Sequence, residues 1–353
     1  MENKLNADNM HFYRFPDIQT HRPYAFDVDD DGVLWEGAPD GFFRLDTCTG
    51  EHLHFTPPEL ADFAANAAFV FHGKVYLLAF ERGCFVYDPA EGTFERLELP
   101  GREPNLWYGV KAAGKLLLFD RSMDGGVIIL DEPGAPARKV ANPFGDYELA
   151  AGTLLSNNRV AIGKPDYQGF VYFDPERETF LERLDAPIQA EHERIWYLSD
   201  GLNARLLPYR VEDEQWLDPI STPDHGKVYG FIGANFHYGS RIYYCLSTYR
   251  FRSRINRETG ELILPEGWDV GVDGRRPIRF LDRFLVFDTI TREFDYLSAP
   301  GQGDGTPLLC YSLVQDDRVY ITGYVIPHGA DGGPSDQPGD WAVWTNCRIP
   351  DYS

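Results

Sequence analysis

The chain has 353 residues, with 55 acidic side chains against 33 basic ones and a formal net charge of −22. So large an excess of negative charge repels phosphate backbones and anionic lipid, which removes nucleic acid and membrane surfaces from the expected partners. Hydrophobic residues make up 43% and aromatics 14%, enough for a full core, and the five scattered cysteines show no CxxC spacing for zinc or a disulfide framework.

Residues 1–9 are polar and lack the apolar run of a secretory leader. They read as a disordered arm, and a cytoplasmic location with free thiols is expected. His11, Phe12, Tyr13, Arg14, Phe15 and Pro16 then read as the outermost strand of a sheet whose other strands do not precede it. The next stretch, from Tyr24 to Phe55, holds apolar runs broken at Asp30, Asp31 and Gly32. It is the first of a series. Phe85, Val86, Tyr87 and Asp88 close a strand, and an aromatic, Phe94, follows six residues after the aspartate. The same phrase returns with Asp174 and Phe180, and with Asp288 and Phe294. Looser copies end on Asp46, Asp131 and Asp218, and the first four spacings are 42, 43, 43 and 44 residues.

A period near 43 built from short strands predicts a β-propeller with one four-stranded blade per repeat. Hairpin turns are expected at His72-Gly73, Ala113-Gly114, Asn157-Asn158, Tyr238-Gly239 and Asp316-Asp317. Counting second strands gives seven blades, the fifth beginning at Ile195. The fold class is all-β: a single seven-bladed propeller over residues 10–353, closed by pairing the N-terminal strand with the C-terminal blade around Trp341 to Trp344. Asp218 to Asp288 spans 70 residues, and the last repeat is also long. Both excesses fall between second and third strands, at residues 249–276 and 325–340. That puts them on the face that carries the inter-blade loops, where functional insertions collect.

Ligands of propellers are expected at the mouth of the central channel. Inter-blade loops offer His21, Arg22, Tyr24, Trp107, Tyr108, His192, Trp196 and His225. Second-strand ends offer Glu36, Glu81, Asp120, Arg121, Lys164, Tyr209, Arg210, Tyr249 and Arg250, with Arg252 just beyond. Arginine forks match carboxylates in two-pronged fashion and aromatic rings stack on sugars. The expected partner is therefore a small anionic, carbohydrate-like molecule. If the site is catalytic, Tyr249, Arg250, His192, Arg210 and Tyr209 suit β-elimination from a uronic acid: the cation neutralises the carboxylate while Tyr or His takes the neighbouring carbon's proton. Two alternatives stand beside it: a non-catalytic propeller binding a protein or glycan, and a glycoside hydrolase using Glu36, Glu81 and Asp120. Asp27, Asp29, Asp31 and Gly32 match the opening of a calcium loop, but Ala38 stands where the closing Glu belongs. No metal and no cofactor is expected, with structural calcium there as a minor alternative.

The run from Pro23 to Trp35 resembles the blade opening of streptogramin-lyase-like propellers, and Val171-Tyr172-Phe173-Asp174-Pro175 resembles kelch-like repeats. The resemblance spans nearly the whole chain and extends to gluconolactonase-like propellers. It implies the seven-bladed architecture. The double glycine and fixed Trp of kelch repeats are missing, as is the His and Glu spacing of streptogramin lyases. Some polysaccharide lyases share this architecture and use His, Tyr and Arg at the mouth, which is what the resemblance implies for activity.

Overall fold

The computed structural model describes the chain apart from residues 1–3, 21–24, 62–63, 80–81, 102–103, 123, 146–148, 150, 164–169, 185–189, 193, 201–204, 224–234, 246–253, 256–261, 264–282, 302–304, 328–338 and 351–353. It is a seven-bladed propeller of antiparallel sheets. The third blade shows the plan, running from the channel outward as Leu106–Ala112, Lys115–Asp120, Gly126–Leu130 and Arg138–Ala141. Inner strands of neighbouring blades lie parallel, since Ala25 bridges Ala67 in that sense. Each inner strand therefore starts at the inter-blade face and ends at the opposite, hairpin face.

The hairpins follow local chemistry. His72 and Gly73, and Ala113 and Gly114, both take positive φ at the two central positions, the geometry that matches the twist of paired strands. The repeated aspartate has a defined local job. Asp46 accepts the backbone N–H groups of Cys48 and Thr49, Asp88 those of Ala90 and Glu91, Asp174 those of Glu176 and Arg177, and Asp288 those of Ile290 and Thr291. Each caps the turn between third and fourth strands. Hydrogen bonds to the ionised form outweigh partial burial and hold Asp46, Asp88 and Asp288 below the usual carboxylate range.

The core lies between blades. Trp35 and Phe42 of the first blade pack with Val75, Leu77 and Phe85 of the second, and Phe119 and Ile129 of the third pack with Ile162 and Phe173 of the fourth. Ion pairs tie the hairpin face. Lys115 of the third blade meets Glu178 of the fourth at 2.7 Å, and Arg138 meets the same carboxylate at 2.6 Å.

The first and last strands do pair. His11 faces Thr345, Phe12 faces Trp344 and Phe15 faces Trp341 in an antiparallel register. Phe12 and Phe15 pack on the two indoles with ring centroids 5.2 and 4.9 Å apart. Arg14 pairs with Asp340 at 2.5 Å, and Gln19 donates to the same carboxylate. The N-terminal residues expected to form a disordered arm are ordered from Lys4 on. Leu5 is buried with Met10 against Tyr243 and Phe284 of the sixth blade, and its N–H donates to the Tyr243 hydroxyl at 2.9 Å. Two apolar residues in a polar stretch suffice because the sixth blade supplies a ready-made apolar surface.

The fifth blade begins earlier than expected. Its inner strand is Ala190–His192, its second Ile195–Asp200 and its third Arg205–Arg210. The outer edge is covered by two short pieces, Gln215–Trp216 and Ile220–Ser221. In the sixth blade Arg241–Cys245 pairs directly with Arg283–Asp288, so residues 246–282 are inserted between second and third strands, with a small hairpin of Arg254–Ile255 and Leu262–Ile263. In the seventh, Arg318–Ile326 pairs with Gly339–Thr345 around residues 327–338. Of the cysteines, Cys84 is buried as expected and Cys48 is exposed.

Candidate ligand-binding site

The mouth of the channel is best defined over the second and third blades. Asn66, near the start of the second inner strand, donates through Nδ2 to the Leu106 carbonyl at 3.3 Å. That fixes where the third inner strand enters. Asp120 ends the neighbouring strand and gathers the entry loop: it accepts Asn105 N–H at 3.0 Å, Ser122 N–H at 3.1 Å, the Ser122 hydroxyl at 2.5 Å and Lys139 Nζ at 2.8 Å. Burial pushes its carboxyl up, but Lys139 and Ser122 outweigh it and hold it below the usual range. Arg121 N–H then donates to the Asn105 carbonyl at 2.9 Å.

These contacts bring the Arg121 guanidinium over the Trp107 ring. The guanidinium carbon lies 4.7 Å from the centre of the indole ring. Ring and guanidinium attract through the quadrupole. Beside them the side-chain oxygen Asn105 Oδ1 is buried with no hydrogen-bond partner. A buried acceptor without a donor is a costly arrangement, and such atoms mark places where a ligand group or water completes the set.

Deeper in the channel, Asp27 of the first inner strand meets Lys111 of the third at 2.5 Å and accepts Val70 N–H of the second at 2.8 Å. Burial is the larger influence on Asp27 and raises its carboxyl despite Lys111. Tyr108 packs edge-on against Phe69 at 5.5 Å, and burial with the Asp27 charge pushes its phenol up to about 12. Asp27 thus stitches three inner strands, while Asp29 accepts the N–H groups of Asp31 and Val33 and the Trp35 indole N–H. The stretch that matched a calcium loop serves as a hairpin turn.

Trp107 and Arg121 are therefore brought together at the mouth, while Tyr108 lies deeper, against Phe69. His192, Trp196, Tyr209 and Arg210 are not at the mouth. With the fifth blade starting at Ala190, His192 ends an inner strand, Trp196 opens a second strand and Tyr209 and Arg210 close a third. All four stand at the hairpin end of the blade. Trp196 is fully buried and packs edge-on against Phe170 at 4.6 Å. Tyr209 is buried, its phenol raised by burial more than the Tyr172 hydrogen bond lowers it, the reverse of what a tyrosine base requires. Arg210 pairs with Asp213 at 2.7 Å. His21, Arg22, Tyr24, Lys164, His225, Tyr249, Arg250 and Arg252 lie outside the described residues, as does Glu81. Of the remaining carboxylates, Glu36 is fully buried and accepts the Trp341 indole N–H at 2.9 Å. Glu36 and Asp120 are thus both engaged by partners within the fold. Asn105 lies, like Trp107, in an inter-blade loop whose residues are expected to reach the mouth, and it gains its interest from the burial of its side-chain oxygen, which no sequence pattern reports.

No protein-family model matches the sequence, and no curated protein matches it significantly. Solved structures do match in shape. Virginiamycin B lyase from Staphylococcus aureus superposes with a TM-score of 0.62 at 9% identity, covering 95% of this chain and 98% of that one. A streptogramin B lyase gives 0.60 at 11% identity over 95% and 97% of the two chains. YCF48, solved bound to a D1 peptide, gives 0.63 at 7% identity over 100% and 99%. At these identities the likeness is one of fold: a whole-chain, seven-bladed propeller. It does not carry the activity of any of them.

Proposed function

We propose that this propeller binds a small anionic saccharide, one bearing a carboxylate, at the channel mouth over its third blade. The observation that supports this reading is the Arg121 guanidinium placed over the Trp107 ring, its carbon 4.7 Å from the ring centre. A guanidinium meets a carboxylate with two parallel N–H donors, and its planar fork loses little freedom in doing so. Asn105 Oδ1, buried and lacking a donor, suits a hydroxyl of the same ligand. The indole gives the apolar wall that sugar rings favour.

Binding is the role the described residues support. Tyr209 and Arg210, two of the groups that could have carried elimination, face the other end of the blade, and Asp120 and Glu36 are engaged in structure. The lyases among the structural relatives share the fold, and elimination by Tyr249 and Arg250 is kept as an outcome of the test.

The test is calorimetric titration of the full chain with trigalacturonate and with neutral maltotriose. Trigalacturonate is expected to bind and maltotriose not to. Hydrogen bonds to charged groups contribute about 1.5–3 kcal/mol, so Arg121→Ala is expected to weaken binding about tenfold or more. Growth of ultraviolet absorbance from an unsaturated product during the same incubation would add elimination to binding. Unchanged affinity in both Arg121→Ala and Trp107→Ala would overturn the site.

A further inference from the structure

At the other end of the channel, two inner strands bring two histidines together. His192 is the last residue of Ala190–His192 in the fifth blade, and His237 is the middle residue of Phe236–Tyr238 in the sixth. Their ring centroids are 5.6 Å apart and the rings are inclined at 47°. This is neither a parallel stack nor an edge-to-face contact. Two imidazoles that each offer one nitrogen to a shared ion fit a separation of this size: with metal–nitrogen bonds of about 2.0–2.1 Å in a tetrahedral arrangement, the centroids end roughly 5–6 Å apart.

We propose that His192 and His237 form an open, two-histidine site for a divalent transition-metal ion of the zinc, nickel or copper type. Imidazole nitrogen is the donor these borderline ions prefer, whereas magnesium and calcium seek oxygen. The backbone supplies the preorganisation. Each histidine sits on a hydrogen-bonded inner strand, His192 facing Ile195 and His237 facing Ile242 in register, so neither ring is carried by a long loop. The net charge of −22 raises the concentration of dications around the molecule. Among the described residues no group of three or more His, Cys, Asp or Glu side chains is close enough to hold an ion. With two protein ligands, at least two coordination positions fall to water, an outside donor or residues beyond the described ones. The site is at the hairpin face and independent of Trp107 and Arg121, so its fate does not depend on the saccharide reading.

The test uses the full, untagged chain and the metal alone. Zinc is titrated calorimetrically and copper(II) is followed by electron paramagnetic resonance. The expected result is one equivalent bound with two equatorial nitrogens. His237→Ala and His192→Gln are each expected to weaken it about tenfold or more and to leave one histidine nitrogen in the spectrum. His237 is exposed, so its replacement is expected to keep the thermal melt of the parent. His52 and His54 pair with Asp17 and Asp40 on the first blade, and His52→Ala and His54→Ala are expected to leave the first equivalent unchanged. The proposal is overturned if that equivalent survives both His192→Gln and His237→Ala, if it is lost instead with His52 or His54, or if no equivalent binds.

Discussion

Trp341 donates its indole N–H to Glu36 across 2.9 Å, and both side chains are fully buried. The donor belongs to the third strand of the last blade and the acceptor to the second strand of the first. The two ends of the repeat array are thus joined twice, by the N-terminal strand within the last blade and by this bond between last and first. Removing the donor leaves a buried carboxylate short of one partner, and a hydrogen bond to a charged group contributes about 1.5–3 kcal/mol. Trp341→Phe is expected to lower the unfolding free energy by about 2–3 kcal/mol in urea titration. Glu36→Gln keeps an acceptor oxygen and is expected to cost less.

The N-terminal strap makes a separate prediction. Leu5 is buried between the sixth and seventh blades, and truncating a buried leucine costs about 2–5 kcal/mol. Leu5→Ala is expected to fall at the lower end, near 2 kcal/mol, because the strap lies at the chain end and can relax. A chain lacking residues 1–10 is expected to melt earlier still, since Met10 and the Tyr243 contact go with it. Equal melting of the truncated and full chains would show that the strap adds nothing.

The turn aspartates predict a pH dependence. Asp46, Asp88 and Asp288 have folded-state values below the ordinary carboxylate range, and the unfolded chain titrates near 3.9. The unfolded state therefore takes up protons first as pH falls. Their contribution is fully present above about pH 5 and is lost progressively as pH drops through the folded values. Asp27 runs the other way, its carboxyl being raised by burial. Asp288→Asn keeps an acceptor for the Ile290 and Thr291 N–H groups but cannot titrate. It is expected to flatten the acid limb of unfolding free energy against pH measured between pH 6 and 3, while losing the Arg241 pair at 3.0 Å.

Much of the ring was legible because its signals are local and repeated. The period of the aspartate reflects a turn cap repeated in the first, second, fourth and sixth blades, and His11 to Phe15 read as an outer strand because strand patterning needs no partner to be visible. The fifth blade was misread because its inner strand is only Ala190–His192 and its outer edge is broken into two short pieces, too little for alternation to register. That single shift of frame moved His192, Trp196, Tyr209 and Arg210 from the mouth to the hairpin face. Leu5 was missed for a related reason: its burial depends on Tyr243, 238 positions away. At the mouth, Trp107 and Arg121 were legible as strand-end residues, but their contact is set by Asp120 gathering the loop, a tertiary arrangement.

Amide hydrogen exchange of the full chain with and without trigalacturonate tests the central claim most directly, because it reports where the ligand sits. Protection is expected in residues 104–110 and 118–122, with none in 190–197 or 205–216, and it should vanish in Arg121→Ala. Protection at the hairpin end of the fifth blade, or an unaltered pattern at saturating ligand, would contradict a site at the third-blade mouth.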